Sequence, residues 1–531
     1  MIVSFKPENY PICALSGYIK CSLLEFTVAL MMHQHACPAQ FSPASLAAHS
    51  LLVRWLFLRL LALVYLAAFA SLSIQINGLV GHDGILPLSS LLAVIKQHYP
   101  VSYGWQYPCL FWINASDNAL LGACYLGMMA ALLVLFNYFS RPALLLCFVL
   151  YLSLSLAGQD FTAFQWDSLL LESGFLAIFL TWGSGLIIFL YRFLIARFMF
   201  MGGVVKLASG DPTWANLSAL SFHYQTQPLP SPLAYYAYFL PSEFHRVCVL
   251  GVFFIELIVP LLIFTTRRLR LFAAWSFIAL QSSIMLTGNY AFFNLLTVLL
   301  CLFLFEDRDI QRFFPRRLAD NLRKRYTAPG KLASLSAGLW TFLVLLVCGS
   351  QIVFFQTGQQ APAPLAALVK FSRRNSLVNN YGPFAVMTTT RPEIIIAGSR
   401  DGRHWRQYAF NYKPGDLFRP LGWNIPHQPR LDWQMWFAAL GSPLQNRWFG
   451  QFMRKIQSGS PSVLGLLAKN PFPGQPPKYL RALLYQYHYA TPTLRAATGQ
   501  IWQRQFLRQY WPVYAPALSE ANILHSNSTP N

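Results

Sequence analysis

The sequence predicts a polytopic α-helical membrane domain of about nine transmembrane helices, followed by a soluble α+β domain with a β-sandwich-like core on the non-cytoplasmic side. The first observation is composition: 55% of the 531 residues are hydrophobic and only 11% are charged, which excludes an ordinary soluble protein. The second is that apolar residues form runs of roughly 17–23, long enough to cross a bilayer core. The third is a Cys-free, aromatic segment behind these runs, with strand-like and then helix-like patterns.

The chain divides into four parts. Residues 1–50 contain no signal-peptide cleavage site of the usual form, and we expect a cytosolic tail or a mis-assigned extension there. The membrane domain covers 51–356, a Pro- and Ala-rich linker covers 357–369, and the soluble domain covers 370–531. The predicted spans are 52–75, 119–137, 142–157, 168–182, 184–206, 246–265, 270–287, 290–305 and 335–356.

The net charge of +21 is explained by the orientation of the spans, so we expect the lipid bilayer and no nucleic acid as a partner. Short loops rich in Lys and Arg lie at 265–270 and 306–331, and such loops stay cytoplasmic. The long loops 77–118 and 207–244 then face a periplasm or an organelle lumen. The exported part 357–531 holds 19 Lys or Arg and 5 Asp or Glu. This excess indicates an acidic partner or anionic headgroups, or only a solvated basic surface.

Several chemistries find no support in the sequence. None of the nine cysteines lies in the exported part and no C-x-x-C pair exists, so neither a disulfide framework nor a thiol redox site is predicted. No H-E-x-x-H spacing indicates a metal, and no G-x-S-x-G turn indicates a serine hydrolase. We therefore expect no metal and no cofactor.

The soluble domain is predicted to begin with a hairpin. The runs EIIIAGS (393–399) and HWRQYAF (404–410) flank an Asp-Gly pair, which is a strong turn signal between strands. A helix at 431–441 ends at Gly441. The remaining predicted elements are helices at 444–457 and 460–468, a segment at 478–491 that begins helix-like and becomes strand-like, and an amphipathic helix at 495–510.

Seven sequence blocks occur in order between about residues 50 and 515. They are FQWDSLLLESGFLAIFL (164–180), GGVVKLASGDPTW (202–214), HYQTQPLPSPLAYY (223–236), FFIELIVPLLIF (253–264), LTGNYAFFNLL (286–296), PHQPRLDWQMWFAAL (426–440) and NPFPGQPPKYLRALLYQY (470–487). Together they resemble the lipase maturation factor family. The resemblance implies a chaperone-like membrane protein that helps secreted lipases to fold and assemble. It implies the endoplasmic reticulum membrane in a eukaryote and the inner membrane in a bacterium, with the soluble domain on the lumenal or periplasmic side.

One block has a second, local resemblance. GGVVKLASGDPTW is similar to the block that carries the catalytic lysine of vitamin K-dependent γ-carboxylases, which makes Lys206 a candidate base. Glu172 and Glu256 are the other ionisable residues within predicted spans, where such groups are costly and often functional. A neutral lysine could act as a base on a lipid-like or quinone-like cofactor. Alternatively, Lys206 forms a structural ion pair with Glu172 or Glu256.

The soluble domain offers a set of aromatic and charged residues for client binding. The loop PHQPR (426–430) is the first place to look, since Trp, Tyr and Arg dominate binding energies at protein interfaces. The alternative is that the aromatic residues at helical spacing belong to the core. The candidates are Tyr381, Trp405, His427, Arg430, Asp432, Trp433 and Trp436.

Three functions follow from these patterns. The first is a non-enzymatic assembly factor whose clients are secreted lipases, because the family resemblance comes without a catalytic set. The second is a membrane enzyme of the γ-carboxylase type that uses Lys206. The third, a lipid transporter, is disfavoured because intramembrane charges are few and no inverted repeat is visible.

Overall fold

The structure, a computed structural model, describes residues 43–357 and 361–514, so the expectations for residues 1–42, 358–360 and 515–531 lie outside the described residues. The apolar runs of the first described part fold into a helical bundle. Its main helices are α1 Leu51–Ser73, α2 Asp117–Leu135, α3 Ser140–Ala157, α4 Gln165–Leu180, α5 Gly185–Ala208, α6 Ser242–Leu262, α7 Arg267–Thr287, α8 Phe293–Leu304, α9 Arg316–Arg325 and α10 Lys331–Thr357.

Seven helices of the described part are long and apolar enough to cross a membrane, namely α1, α2, α3, α5, α6, α7 and α10. The predicted spans at 168–182 and 290–305 form the shorter helices α4 and α8. At 1.5 Å per residue, the 16 residues of α4 extend about 24 Å, less than a bilayer core of about 30 Å. Leu169 and Leu296 in these helices are fully buried. Burial inside the bundle therefore accounts for the apolar character of both helices without lipid contact.

The two ends of the bundle differ in the loops they carry. Where α1 begins, the Asp307 carboxylate accepts hydrogen bonds from the backbone N–H groups of Leu51, Leu52 and Val53 at 2.8–3.1 Å. The loops at this end are those rich in Lys and Arg, and we call it the basic end. The opposite end carries the long loops and the sheet, and we call it the sheet end. Short helices in its loops are Ile76–Val80, Leu88–His98, Tyr103–Gln106, Pro212–Ala215, Ala219–Thr226 and Pro232–Tyr238.

A helix, α11 Ala363–Arg374, occupies much of the segment that was predicted to be a linker. Its Phe371 ring stacks on the ring of Trp105 with centroids 5.4 Å apart. Its Arg374 donates hydrogen bonds to the backbone oxygen of Trp105 and the side chain of Gln106. The segment is thus fastened to a long loop of the bundle instead of hanging free.

The exported part contains one antiparallel sheet of four strands, in the order β2-β1-β3-β4. The strands are β1 Pro392–Ser399, β2 Arg406–Gln407, β3 Tyr479–Tyr489 and β4 Trp502–Tyr514. The predicted hairpin is present, but its return strand is only two residues long. The described residues contain this single sheet, so the predicted sandwich-like core is not established.

The predicted helix at 495–510 is wrong. A short helix, Pro492–Thr498, ends at Gly499, whose φ of 77° suits a residue without a side chain. The chain then returns as β4, which pairs with β3 from Tyr489↔Trp502 to Leu480↔Tyr514. The amphipathic pattern fits a strand as well as a helix, and this long pairing decides between them.

The sheet and the bundle share one hydrophobic core. The exported helices are α12 Arg430–Leu440 and α13 Arg447–Gln457, close to their predicted positions, and a short helix follows at Pro461–Leu464. Trp433 of α12 meets Trp166 at the start of α4, with ring centroids 4.8 Å apart. Trp448 of α13 meets Phe161 at 5.5 Å. The exported part is consequently docked on the helices by direct packing.

Candidate functional site: the junction between the helices and the sheet

The centre of the junction is an ion pair between the first residue of α12 and the beginning of α4. The Arg430 guanidinium donates to both carboxylate oxygens of Asp167, at 2.8 and 2.9 Å. It also donates to the backbone oxygen of Phe161 at 2.8 Å, while the Tyr151 hydroxyl donates to Asp167. Arg430 and Asp167 are each 1% exposed. Such a bidentate pair fixes both distance and orientation between the two parts of the chain.

The loop before α12 contacts the sheet end of α1. The hydroxyl oxygen of Ser71 lies 2.9 Å from Nδ1 of His427 and accepts a hydrogen bond from the backbone N–H of Gln428. The Gln75 side chain donates to the backbone oxygen of Gln428 at 2.7 Å and accepts from the backbone N–H of Arg430 at 2.9 Å. The PHQPR loop is therefore a docking loop within the molecule.

A second ionic contact lies beside the first. The Glu172 carboxylate of α4 pairs with Arg197 of α5 and accepts hydrogen bonds from the Tyr381 hydroxyl at 2.8 Å and the Asn379 backbone N–H at 3.0 Å. Tyr381 itself is buried. Glu172 thus holds the segment that leads into the sheet, and each of its oxygens has a partner.

Burial shifts the pKa values of His427 and Asp432, two residues of the C-terminal part that lie at the junction. Burial, followed by the charge of Arg430, lowers the pKa of His427 to about 4, which keeps the imidazole neutral at pH 7. Burial raises the pKa of Asp432, although its carboxylate accepts hydrogen bonds from the backbone N–H groups of Tyr412 and Lys413. These groups hold loops in place.

Lys206 forms the structural ion pair that was the alternative to a catalytic role. Its ammonium group donates to both oxygens of Glu256, at 2.7 and 3.0 Å, and to the backbone oxygen of Gly202 at 3.1 Å. These acceptors use all three of its donors. The geometry therefore accounts for Lys206 as a member of an ion pair within the bundle.

A cavity of about 80 Å³ borders this pair. Its lining is mostly apolar and includes His223 and Tyr290. His223 lies in a loop helix, and burial, followed by the charge of Lys206, lowers its pKa to about 4. A cavity of this size holds a few water molecules, well short of the 300–1,000 Å³ typical of cofactor sites. Among the described residues, no group of three His, Cys, Asp or Glu could hold a metal ion.

The structure brings most of the predicted client-binding residues into the junction. Tyr381, Arg430, Asp432 and Trp433 are buried. His427 contacts Ser71, and the half-buried Trp436 donates to the backbone oxygen of Thr226 at 2.8 Å. Only the seventh, Trp405, lies on the outer face of the sheet, where the Arg481 guanidinium stands 3.9 Å from its ring centroid. In this arrangement the six junction residues connect the two parts of the chain, and Trp405 lies half-buried outside the junction.

Sequence reasoning missed the partners of these residues. Asp167 stands just before an apolar run, and nothing in its local sequence indicates its pairing with Arg430. A further buried cluster was not recognised, in which Glu393 pairs with Arg391 and Lys413, each at 2.9 Å. Arg391 also donates to backbone oxygens of the long loop, at Gln225 and Pro228. The sequence signal for this cluster was the presence of two charged residues, Arg391 and Glu393, at the start of the strand-like run RPEIII.

The geometry defines a class: a multi-span membrane protein whose C-terminal part is docked on its helices by buried ion pairs. Residues 52–312 match the family profile described as "Lipase maturation factor transmembrane domain", and residues 377–512 match "Lipase maturation factor C-terminal domain". The chain belongs to the lipase maturation factor family.

Curated relatives agree over most of the chain. Lipase maturation factor 2 of Xenopus tropicalis is 34% identical over 87% of this chain and 82% of its own length. The human protein of the same name is 33% identical over 88% of this chain and 83% of its own length. Lipase maturation factor 1 of Bos taurus is 33% identical over 88% and 90%. No solved structure matches the chain.

Proposed function

We propose that this chain is a membrane-bound maturation factor for lipases, which holds a secreted lipase on its exported part until the client reaches its active, assembled form. The observation that carries this proposal is the match to relatives named lipase maturation factor through both the helices and the sheet. The satisfied ammonium group of Lys206 supports a role without catalysis.

The client surface that fits this role is the outer face of the sheet. We define the aromatic–arginine face as Trp405, Arg481, Tyr485, Arg504 and Phe506. Its rings and guanidinium groups stack in turn: Arg481 on Trp405, Arg504 on Tyr485 at 4.7 Å, and Tyr485 beside Phe506 at 5.7 Å. Phe506 is 55% exposed. Aromatic residues and Arg are the side chains that dominate binding at protein interfaces.

Strand β4 adds a backbone surface to this face. It is the outermost strand, and within the described residues it pairs with β3 alone. An unpaired strand edge can add an extended segment of another chain through backbone hydrogen bonds. The charge excess of the exported part favours clients with acidic patches.

The finer placement follows from the same role. The exported part faces the lumen of the endoplasmic reticulum if the chain is eukaryotic, or the periplasm if it is bacterial, because the basic loops lie at the other end. The membrane part covers 51–356, the linker 357–369 and the soluble domain 370–531. Up to nine spans fit this scheme if α4 and α8 cross thinned or protein-filled regions.

The test is the activity of a co-expressed secreted lipase per unit of lipase mass, with and without this protein. The double variant Trp405→Ala/Phe506→Ala should lower that specific activity severalfold while the lipase is still synthesised. Leu444→Ala is the matched control, because Leu444 is an apolar residue of the same part that is 89% exposed in a separate loop.

Two results would decide against the proposal. Unchanged specific activity on complete removal of the protein, across lipases of different families, would exclude the maturation role. Equal losses in the double variant and the Leu444→Ala control would leave the role but exclude the aromatic–arginine face as the client surface.

A further inference from the structure

A cavity of about 600 Å³ lies at the basic end of the bundle, far from the junction. It is bounded by the first turns of α1, the α2–α3 loop, Thr181 and helix α9. Four of its lining residues are arginines, Arg54, Arg59, Arg141 and Arg325, and none is a carboxylate. The family resemblance and the proposed function assign no role to this cavity.

The cavity lies at the depth of one membrane surface. Arg54 stands in the first turn of α1, and Ser71 near its other end contacts the docking loop. Seventeen residues of α-helix separate them by about 26 Å, which is close to the thickness of a bilayer core. Helical side chains tilt toward the N-terminus of their helix, so Arg59, more than one turn deeper, extends toward the same surface.

The arginines of the cavity have no carboxylate partner among the described residues. Arg54 Nε and Nη1 are buried and have no hydrogen-bond partner. Arg59 is 8% exposed and stands 5.3 Å from the ring centroid of Trp55. Within residues 43–357 and 361–514, neither forms an ion pair. The nearest carboxylate, Asp307, is engaged by the backbone N–H groups at the start of α1.

The other two arginines complete the lining from different elements. Arg141 begins α3 and donates to Oγ1 and the backbone oxygen of Thr181 at 3.1 and 3.3 Å. Arg325 ends α9, whose sequence RRLADNLRKR is strongly basic. Four cations from three helices thus line one space, although like charges repel and a buried guanidinium group without an anion is unfavourable.

We propose that this cavity binds a phosphate-bearing anion, the headgroup of an anionic phospholipid in the leaflet at the basic end. The planar guanidinium fork matches phosphate oxygens in pairs. Basic pockets between transmembrane helices on the cytoplasmic side are suited to anionic headgroups. The volume fits a phosphate with its glycerol or inositol group. Apolar residues of the lining, among them Leu58 and Leu322, meet the beginning of the acyl chains.

The experiment measures lipid binding to the purified full chain in neutral detergent by native mass spectrometry. Phosphatidylglycerol, phosphatidylserine and phosphatidylinositol are compared with phosphatidylcholine, and inorganic phosphate is titrated separately. The variant Arg54→Gln/Arg59→Gln should weaken binding of the anionic lipids about tenfold or more, since two phosphate contacts are lost. Arg312→Gln is the control, because Arg312 is an exposed arginine of the same end outside the cavity.

The outcomes separate the possible sources of the anion. Preferential binding of an anionic lipid that the double variant loses and the control keeps supports the proposal. Equal weakening in the control, or equal binding of phosphatidylcholine, would show a general surface effect and overturn it. Binding of inorganic phosphate as tight as that of the lipids would show a soluble anion as the ligand and overturn the lipid assignment.

A folding defect is distinguished by a second variant. Arg54→Lys/Arg59→Lys keeps the charge but loses the paired geometry of the guanidinium group. Anionic lipid should bind this variant with an affinity between those of the wild type and the glutamine variant. Wild-type affinity in the glutamine variant, with an unchanged unfolding midpoint, would contradict the assignment of these two arginines.

Discussion

The arginines near the two ends of helix α1 differ in whether a carboxylate of the chain pairs with them. At the sheet end, Arg430 meets Asp167 in a bidentate pair, and its backbone N–H donates to the Gln75 side chain. At the basic end, Arg54 and Arg59 line an open cavity without a carboxylate. A charge that is paired inside the chain holds the fold together, whereas a charge left unpaired needs an anion from outside.

This comparison also separates structural from binding residues in the exported part. Charged and aromatic residues of the docking loop make contacts within the chain. The aromatic–arginine face, in which Phe506 is exposed and the other four residues are half-buried, contains only one residue that the sequence suggested, Trp405. Charged and aromatic residues therefore occur both in the docking loop and in the aromatic–arginine face. Their burial distinguishes the structural residues from those that could bind a partner.

The largest expected effect comes from breaking the paired end. Asp167→Leu leaves Arg430 buried without its carboxylate, and we expect a loss of about 3–5 kcal/mol in the free energy of unfolding. The unfolding midpoint in detergent should fall, and proteolysis should release the exported part. Removing both charges with Asp167→Leu/Arg430→Met should cost less than Asp167→Leu alone.

The control for this prediction is the exposed pair Glu243–Arg246, whose closest atoms are 3.2 Å apart. Breaking it with Glu243→Gln should cost less than about 1 kcal/mol. A similar small cost for Asp167→Leu would mean that the junction is not held by this pair.

How far the sequence predicted the fold depended on the length of each pattern. The apolar runs gave most of the helices, because a run of about 20 apolar residues has few alternatives. The runs of α4 and α8 formed helices as predicted, but composition alone does not separate a helix buried in protein from one buried in lipid. The strand β4 was missed because Trp502, Phe506 and Tyr510 also satisfy a helical pattern, and its pairing with β3 is not local.

The site was predictable only by residue type. Lys206 was recognised with its possible partner Glu256, since both stand in apolar runs where a lone charge is costly. Arg430 was recognised too, but its partner Asp167 lies 263 residues earlier, and no spacing rule connects residues so far apart. Without that contact, a docking loop and a client-binding loop look alike.

Variants of the Lys206–Glu256 pair test whether Lys206 has a structural or a catalytic role. Lys206→Met should cost about 1.5–3 kcal/mol, the range for a hydrogen bond to a charged group. Lys206→Met/Glu256→Gln should regain part of that loss and should mature a co-expressed lipase normally. A folded double variant without maturation activity would instead restore the enzymatic hypothesis for Lys206.

His223 makes stability depend on pH at the sheet end. Its pKa is about 4 in the folded chain because of burial and about 6.5 when unfolded, so the unfolded state binds more protons between these values. Stability is therefore retained above pH 6.5 and lost as the pH falls toward 4, by about 2 kcal/mol between pH 6.5 and 5. His223→Gln should flatten this part of the curve of unfolding midpoint against pH. An equally steep fall in the variant would assign the dependence to other groups.

The smallest expected effect on stability is that of removing one arginine from the aromatic–arginine face. Arg481→Ala removes a guanidinium that stacks on the half-exposed ring of Trp405, and exposed cation–π contacts contribute about 0.5–1 kcal/mol. We expect the unfolding midpoint to change by a degree or two at most, while the specific activity of a co-expressed lipase falls clearly. Arg400→Ala is the matched control, because Arg400 is an exposed arginine of the same sheet that stands over Phe472 instead. A large loss of stability in Arg481→Ala with normal lipase activity would place this face among the structural regions and remove the contrast with the docking loop.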